Sequence, residues 1–467
     1  MKKNKLWMLV AAFAAVVLVL AACGNDEPDT TPEPDVVDTP TVTPDPTPEP
    51  DVDVELAGTI SFAWWGNDGR HNATREIAEL FMAENPGVTI TFDYGAWGGW
   101  QDHMTTSILG NVEADVMQLN FNWLQLFSPM GTTFMDLEDP RISNFLDLSN
   151  WSNADLDVTR RNGVLQAVPA GMTARVPFMR ADIYEAAGLD VAAINTWDDL
   201  MAAGDAIRAH HGEGVYALSP LGRASLAYMV FSYLEQFTGR QFVDDNNQFN
   251  YSLEELTRAF ELVERMVAHN VLAQPGEDAI NQSNPRWIAG NYGGVSEWDS
   301  SINGWINNLT DADAGIVGED LIQVRPHFTM DNALLSGFMA RPSMVFGISR
   351  NTNYPEVAAA FLNFFFTDPR AVAIQGTDRG VPANRAGLAV FEGLVASGDI
   401  GGAAVAANNV IQNNPTTTMS PVFEFPSVRD LYEFALERVQ MGVNSAAYEA
   451  QFVYERIQAE INETLID

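Results

Sequence analysis

Between Ile60 and Leu119 the apolar pattern switches repeatedly between the two-residue period of a strand and the 3.6-residue period of a helix, and this fixes the class of fold. Ile60, Phe62 and Trp64 alternate, followed by the loop Gly66-Asn67-Asp68-Gly69. Ala73, Ile77, Leu80 and Phe81 then recur at helical spacing until Asn85-Pro86-Gly87 stops the helix. Val88, Ile90, Phe92 and Tyr94 alternate again; after a glycine-rich loop, Met104, Ile108 and Leu109 mark the next helix. Asp115-Val116-Met117-Gln118-Leu119 reads as a third strand. Strands alternating with helices predict an α/β fold on a parallel sheet.

In open sheets of this kind, ligands bind beyond the carboxyl ends of the strands. The residues just past those ends are Trp64-Trp65-Gly66-Asn67-Asp68, Ala96-Trp97-Gly98-Gly99-Trp100 and Asn120-Phe121-Asn122-Trp123. Three separate segments therefore bring tryptophans and short polar side chains to one rim. One of these tryptophans is expected to be core filler; for all three segments to be filler would be a coincidence. Aromatic planes beside amide and carboxyl groups suit a pyranose, whose C–H face stacks and whose hydroxyl equator hydrogen-bonds. A dinucleotide site would need a glycine-rich phosphate loop without bulky rings, and the sequence has none.

The amino terminus sets the compartment. Lys2, Lys3 and Lys5 precede an apolar run from Leu6 to Leu20, then Leu20-Ala21-Ala22-Cys23-Gly24. This reads as a secretory signal over 1–22 ending in a sequence that resembles the bacterial lipobox, which implies cleavage before Cys23 and acylation of its thiol, palmitate among the acyl groups. Residues 23–55 are rich in Thr, Pro, Glu and Asp, and read as an extended tether rather than a folded unit. The expected location is the outer face of the bacterial cell membrane, reached through the lipid.

Composition closes off several chemistries. Without Lys2, Lys3 and Lys5 the formal charge falls from −37 to about −40, which disfavours nucleic acid as a partner. No lysine follows Lys5, which excludes a Schiff-base or P-loop lysine. The single cysteine excludes disulfides, cysteine-ligated zinc and, once acylated, a cysteine nucleophile. The six histidines show no ligand spacing, and no metal or cofactor is implied. Paired carboxylates for glycoside hydrolysis remain open on paper through Asp68, Asp102, Glu297 and Asp299, but so acidic a chain places carboxylates near any cleft.

Farther along, Leu165 to Met179 is extended, Arg180–Gly188 is helical, and Thr196-Trp197-Asp198-Asp199-Leu200 opens a helix with a near capping box. Phe338 to Ser349 reads as strand, and Pro355 starts a helix carrying Val357, Phe361, Phe364 and Phe365. Ile60–Gly66, Phe81–Val88, Ala114–Met117, the extended segment Leu165–Met179 with Ala187-Gly188-Leu189 and Thr196–Leu200, Tyr354–Leu362 and Arg379-Gly380-Val381-Pro382-Ala383 resemble the family 1 extracellular solute-binding proteins, the capture lipoproteins of carbohydrate ABC importers. The resemblance covers nearly all of 56–467.

It implies a two-lobed periplasmic-binding-protein-like fold of type II with a hinge and an interlobe cleft. Lobe 1 would take about 56–170 plus part of 340–400, and lobe 2 about 175–340 plus part of the C-terminal helices, with crossings near 165–180 and 340–350. An oligosaccharide ligand and ABC permease subunits are the implied partners. The strand ends supply the candidate binding residues Trp64, Trp65, Asp68, Trp97, Trp100, Asn120, Asn122 and Trp123 in lobe 1, with Arg70. The resemblance adds Thr173, Arg175, Arg223 and Trp298 from the crossing strand and lobe 2, while Arg341, Arg379 and the Phe425–Tyr432 turn match more loosely. Trp197 is expected to be structural. The octapeptide Trp64-Trp65-Gly66-Asn67-Asp68-Gly69-Arg70-His71 resembles the subgroup tied to plant-polysaccharide fragments, including pectin-derived oligosaccharides. Arg70, Arg175, Arg223 and Arg379 would then hold uronate carboxylates, unless each pairs with a neighbouring acid. Carrier, sugar sensor or adhesin, and hydrolase are the functional readings this leaves.

Overall fold

A computed structural model describes residues 55–244, 246–273, 282–310, 315–400 and 402–465. The signal, Cys23 and most of the tether lie outside the described residues. Everything described belongs to the compact unit Glu55–Asp467.

Two sheets organise this unit. The first contains β1 (Ala57–Trp65), β2 (Gly87–Gly95) and β3 (Val116–Leu119). Two short strands, β4 (Arg160–Arg161) and β5 (Val164–Leu165), form a separate hairpin, and β6 (Val168–Pro169) follows. The second sheet starts with β7 (Met172–Arg180), β8 (Gly294–Trp298), β9 (Ile322–Val324) and β10 (Met339–Pro342). The chain then makes β11 (Val345–Ile348) in the first sheet and β12 (Thr417–Thr418) in the second. The strand orders are β2-β1-β3-β11-β6 and β12-β10-β7-β8, with β9 also on β7.

β1, β2 and β3 are parallel, as the strand–helix alternation predicts, whereas β11 runs antiparallel to both β3 and β6. The reversal arises because β11 enters from the second sheet. The chain changes sheet between β6 and β7 and again between β10 and β11. These two passages lie side by side: the Ala170 N–H donates to the Met344 carbonyl (2.9 Å) and the Ser343 N–H to the Gly171 carbonyl (2.8 Å). At Gly171 there is no room for a side chain, since a Cβ would sit 2.4 Å from the Val381 carbonyl oxygen.

Each sheet has its own core, so the unit is two-lobed. In lobe 1 the helix Asp68–Glu84 buries Ile77, Ala78 and Phe81, and Pro355–Thr367 buries Phe361, Phe365 and Phe366 against Phe62 and Phe346. In lobe 2 the helices Arg223–Thr238, Leu253–Ala268 and Pro426–Gln440 enclose a core of Phe231, Phe260 and Tyr432. Local signals behave as their chemistry predicts. Thr196 and Asp199 close a reciprocal capping box, and Pro355 occupies the first turn of its helix. Trp197 is buried beside that box, its indole N–H 2.7 Å from Gln236 Oε1. Among the described residues no single helix is long and apolar enough to cross a membrane.

Candidate functional site

The strand ends of lobe 1 build an aromatic wall. Trp65, the last residue of β1, points to the face where Trp97 and Trp123 lie, at ring distances of 5.2 and 5.1 Å. Trp97 and Trp123 stack nearly parallel, 5.5 Å apart with 5° between planes. The stack is held from below: the Trp123 indole N–H donates to Gln101 Oε1 at 3.2 Å. Gly99, at φ +79°, takes the left-handed conformation that starts the helix Trp100–Leu109 and leaves Trp97 on the preceding turn. Trp97 is 54% exposed, so one large indole surface is open above two buried ones.

Trp64 is different. It is 0% exposed, stacked on Tyr94 at 4.9 Å and hydrogen-bonded to His71 Nδ1 at 3.0 Å. Adjacent strand residues face opposite ways, so Trp64 shares a face with Phe62 and belongs to the core of lobe 1, not to the rim. Trp100 is likewise buried, against Gly95 and His103. Asp68 is exposed in the first turn of its helix.

Two expected rim arginines are also committed elsewhere. Arg70 donates to Asp378 Oδ2 (3.0 Å) and to the Asp378 carbonyl (2.6 Å), fastening the first turn of the helix Asp68–Glu84 to the loop before Gly380. Arg379 is buried within lobe 1, bonded to Gln118 Oε1 at 3.0 Å and Thr74 Oγ1 at 2.8 Å. Burial, then repulsion from Arg70, lowers its pKa to about 9 against the pull of Asp378.

The second wall stands on the crossing strands and lobe 2. Arg175 on β7 pairs with Glu297 on β8 at 3.0 Å. Its guanidinium lies 4.8 Å from the Trp298 ring centre, and that of Arg341 on β10 lies 4.5 Å from it. Trp298 is therefore a half-buried platform carrying two guanidiniums rather than a bare stacking face. Arg341 Nε approaches Glu424 Oε2 to 3.1 Å without an aligned hydrogen bond, and Tyr228 donates to Glu424 Oε1 at 2.8 Å. Burial, then the Glu424 carboxylate, holds the Tyr228 phenol far above its ordinary range. Arg223, first residue of its helix, stacks on Phe434 at 4.1 Å and bonds Glu437 at 2.8 Å.

The two walls meet. Asn120 donates to Asn122 Oδ1 (2.7 Å), and Asn122 Nδ2 donates across to the Glu424 carbonyl (3.0 Å). An unbroken path thus runs from Trp97 through Trp123 and Asn122 to Glu424, Arg341, Trp298 and Arg175. Thr173 sits behind it, its hydroxyl bonded inward to Asp299 Oδ1. Asp299 is fully enclosed, and burial raises its pKa to about 6 despite Thr173, the Ala174 and Ser300 N–H groups and Asn408. Of the carboxylates considered for hydrolysis, Asp299 is turned away from solvent, Glu297 is occupied by Arg175, and Asp68 and Asp102 are exposed on lobe 1. Among the described residues no group of three or more His, Cys, Asp or Glu is placed to hold a metal.

The same wall also contains Tyr228, Glu424 and Phe434, which the sequence reading did not name, and Arg341, which it matched only loosely. Their partners are 43 to 211 residues away in sequence, so no local pattern marks them. Trp64 was readable, because the same alternation that reveals β1 puts it beside Phe62.

With the fold and site in view, the chain belongs to the bacterial extracellular solute-binding proteins, whose family model matches residues 67–371. A periplasmic oligogalacturonide binding protein from Yersinia enterocolitica, solved with saturated digalacturonic acid, is 27% identical with a TM-score of 0.75, covering 87% of this chain and 99% of its own. A periplasmic solute binding protein from Pectobacterium atrosepticum is 26% identical with a TM-score of 0.77, over 88% and 100%. A binding protein of Brucella abortus (strain 2308) is 25% identical over 203 residues, 43% of this chain and 47% of that one. The chain thus spans about half the length of the curated relatives it matches. The family and these neighbours are binding proteins rather than enzymes.

The two tryptophans separate by consequence. Trp64→Ala opens a hole in the lobe 1 core and should cost about 3–5 kcal/mol of stability, whereas Trp97→Ala should leave the thermal midpoint within about 1–2 °C. Differential scanning calorimetry of both variants checks this, and equal losses would contradict the burial assignment.

A second expectation concerns pH. Burial raises the carboxyls of Asp299 to about 6, Glu235 to about 7 and Glu433 to about 7. Each is raised above its unfolded value, so the native state holds more protons between roughly pH 4.5 and 7, and stability must fall as pH rises through that window. His327, lowered to about 4 by burial, opposes this below its unfolded value. The melting temperature should therefore be higher near pH 6 than at pH 8 by about 2–3 °C. A flat profile would mean these carboxyls are not protonated in the native state.

Proposed function

We propose that this protein is a lipid-anchored capture protein that closes on an acidic oligosaccharide of the pectin type and presents it to an ABC importer. The observation that carries this reading is the exposed Trp97 on its parallel Trp123 partner, joined through the Asn122–Glu424 contact to the cluster of Arg341, Trp298 and Arg175. An indole plane supports the C–H face of a sugar, amides take its hydroxyls, and guanidiniums take hydroxyls or uronate carboxylates. The oligogalacturonide binder of Y. enterocolitica and the octapeptide Trp64–His71 support the acidic choice. Cys23 as the acylated residue follows from the Leu-Ala-Ala-Cys-Gly motif, and the permease partner from family membership.

Titration calorimetry with digalacturonate and with a neutral galactose disaccharide tests the ligand. Digalacturonate should bind more tightly, and Trp97→Ala should weaken it at least about tenfold, the worth of one aromatic contact. Preference for the neutral sugar would make this a neutral-oligosaccharide carrier. For the anchor, Cys23→Ala should shift the protein from the membrane fraction to the soluble fraction; unchanged fractionation would remove the lipid from this account.

A further inference from the structure

A cavity of about 480 Å³ lies behind the two crossing strands, and no residue of either wall lines it. Strand alternation sets its place. Arg175 on β7 and Arg341 on β10 belong to the guanidinium wall, so Met172, Ala174 and Ala340 face away from that wall. Met172 and Ala340 line the cavity. Its two banks belong to different lobes. Asp155 and Glu392 stand on the lobe 1 side, Glu392 on the helix Arg385–Ser397. Asn408, Asn409 and Gln412 stand on the lobe 2 side, on the helix Ala403–Gln412, which packs against Ala174 and Ala340.

With the crossing as floor and a lobe as each bank, a rotation that parts the two walls in front brings the banks together behind. The cavity therefore shrinks as the cleft opens. It is also bonded through to the crossing strand. Asn408 is buried, lies 3.5 Å from the Met172 carbonyl and reaches Asp299, which accepts the Thr173 hydroxyl.

The lining sets the chemistry of an occupant. Among the described residues that line the cavity there is no arginine, lysine or histidine and no aromatic ring. One bank offers side-chain amides and the other offers carboxylates, groups that exchange hydrogen bonds with hydroxyls. Asp155 and Glu392, with no cation beside them in the lining, repel an anion. The volume is within the range of small-molecule sites, about 300–1,000 Å³.

We propose that this cavity is a second binding site, separate from the cleft, for a small neutral polyhydroxylated molecule, and that its occupant holds the cleft shut. An occupant wedged between the banks blocks the rotation that opens the cleft, so it favours the closed arrangement and tightens whatever the cleft binds. The reverse follows by linkage: a ligand in the cleft widens the cavity and tightens the second site by the same factor. This inference goes beyond the acidic-oligosaccharide reading and does not depend on which sugar the cleft takes.

The test uses free galactose as the probe on the whole protein. Calorimetric titration with digalacturonate, in the absence and presence of galactose, reads the sign of the coupling. Galactose should raise the affinity for digalacturonate at least about fivefold. A fall, which means competition within the cleft, or no change overturns the proposal. Free galacturonate should give no rise; a rise overturns the neutral class of the occupant. Asn409→Trp places an indole in the cavity from an exposed position on its helix. It should raise the affinity for digalacturonate without galactose and remove the galactose effect, and a galactose effect that persists in the variant overturns the placement. Small-angle scattering needs no cleft ligand: galactose should lower the radius of gyration of the unaltered protein, and an unchanged radius overturns the proposal. If digalacturonate does not bind, the acidic reading fails alone. The same titration with the neutral galactose disaccharide, together with the scattering, then decides the second site.

Discussion

The position of every cleft residue follows from the two strands that cross between the lobes side by side. β7 and β10 are antiparallel partners, with Arg341 opposite Thr173 and Ala340 opposite Ala174. The hydrogen bonds from Ala170 to Met344 and from Ser343 to Gly171 fix where each strand leaves one sheet for the other. Thr173, Arg175 and Arg341 lie within a few residues of that point, so the polar wall stands on the hinge itself. Rotation about the crossing moves the tryptophan wall of lobe 1 against it while the internal geometry of each lobe is kept. The Gly171–Val381 approach, too close for any side chain, holds the loop before Ala383 against the same crossing.

Arginine serves two different purposes in the two lobes. In lobe 1, Arg379 hydrogen-bonds the neutral Gln118 and Thr74, with Asp378 only 3.9 Å away, and its burial lowers its pKa. Its work is structural: Gln118 also donates to the Trp65 carbonyl, so the guanidinium braces the end of β1 beneath the aromatic wall. In lobe 2 the arginines stand beside carboxylates and on aromatic rings, where exchange of one anion for another is possible. A chain of formal charge −37 repels anions at long range, yet salt screens that field within about 8–10 Å. On the proposed reading, selectivity is then set by the local pairing at the wall rather than by the overall charge.

How much of this was legible in the sequence depends on the range of the interaction that decides each feature. The strand–helix alternation, the Thr196–Asp199 box and the Pro355 helix start rest on neighbours within a few residues, and the structure carries them as read. The antiparallel β11 and β6 depend on where a distant strand inserts, and no local pattern reports that. Among site residues, Trp64 was misplaced by treating a tryptophan pair as one unit, although strand parity separates Trp64 from Trp65. Arg70 and Arg379 were placed at the rim by resemblance, Arg70 through the octapeptide Trp64–His71 and Arg379 through a looser match to the family. Their actual partners, Asp378 for one and Gln118 and Thr74 for the other, lie hundreds of residues away. Glu424 and Phe434 became visible only once the C-terminal helices were packed on lobe 2.

The contact that joins the two walls also limits what kind of ligand can close them. Asn122 to the Glu424 carbonyl is a neutral hydrogen bond, worth about 0.5–1.5 kcal/mol net. On the proposed reading, a ligand favours closure only through contacts that exist when both walls touch it. A ligand stacked on Trp97 alone binds the open and closed arrangements equally and shifts nothing, however tightly it binds. The productive ligand must therefore reach from the tryptophan wall to the guanidiniums around Trp298, presenting an apolar face at one end and oxygens at the other. A single sugar ring has both faces but cannot occupy both walls with different atoms as effectively as a chain of rings. On the proposed reading, the tryptophan wall of lobe 1 and the arginine-bearing wall of lobe 2 together favour an oligomer by the mechanics of closure.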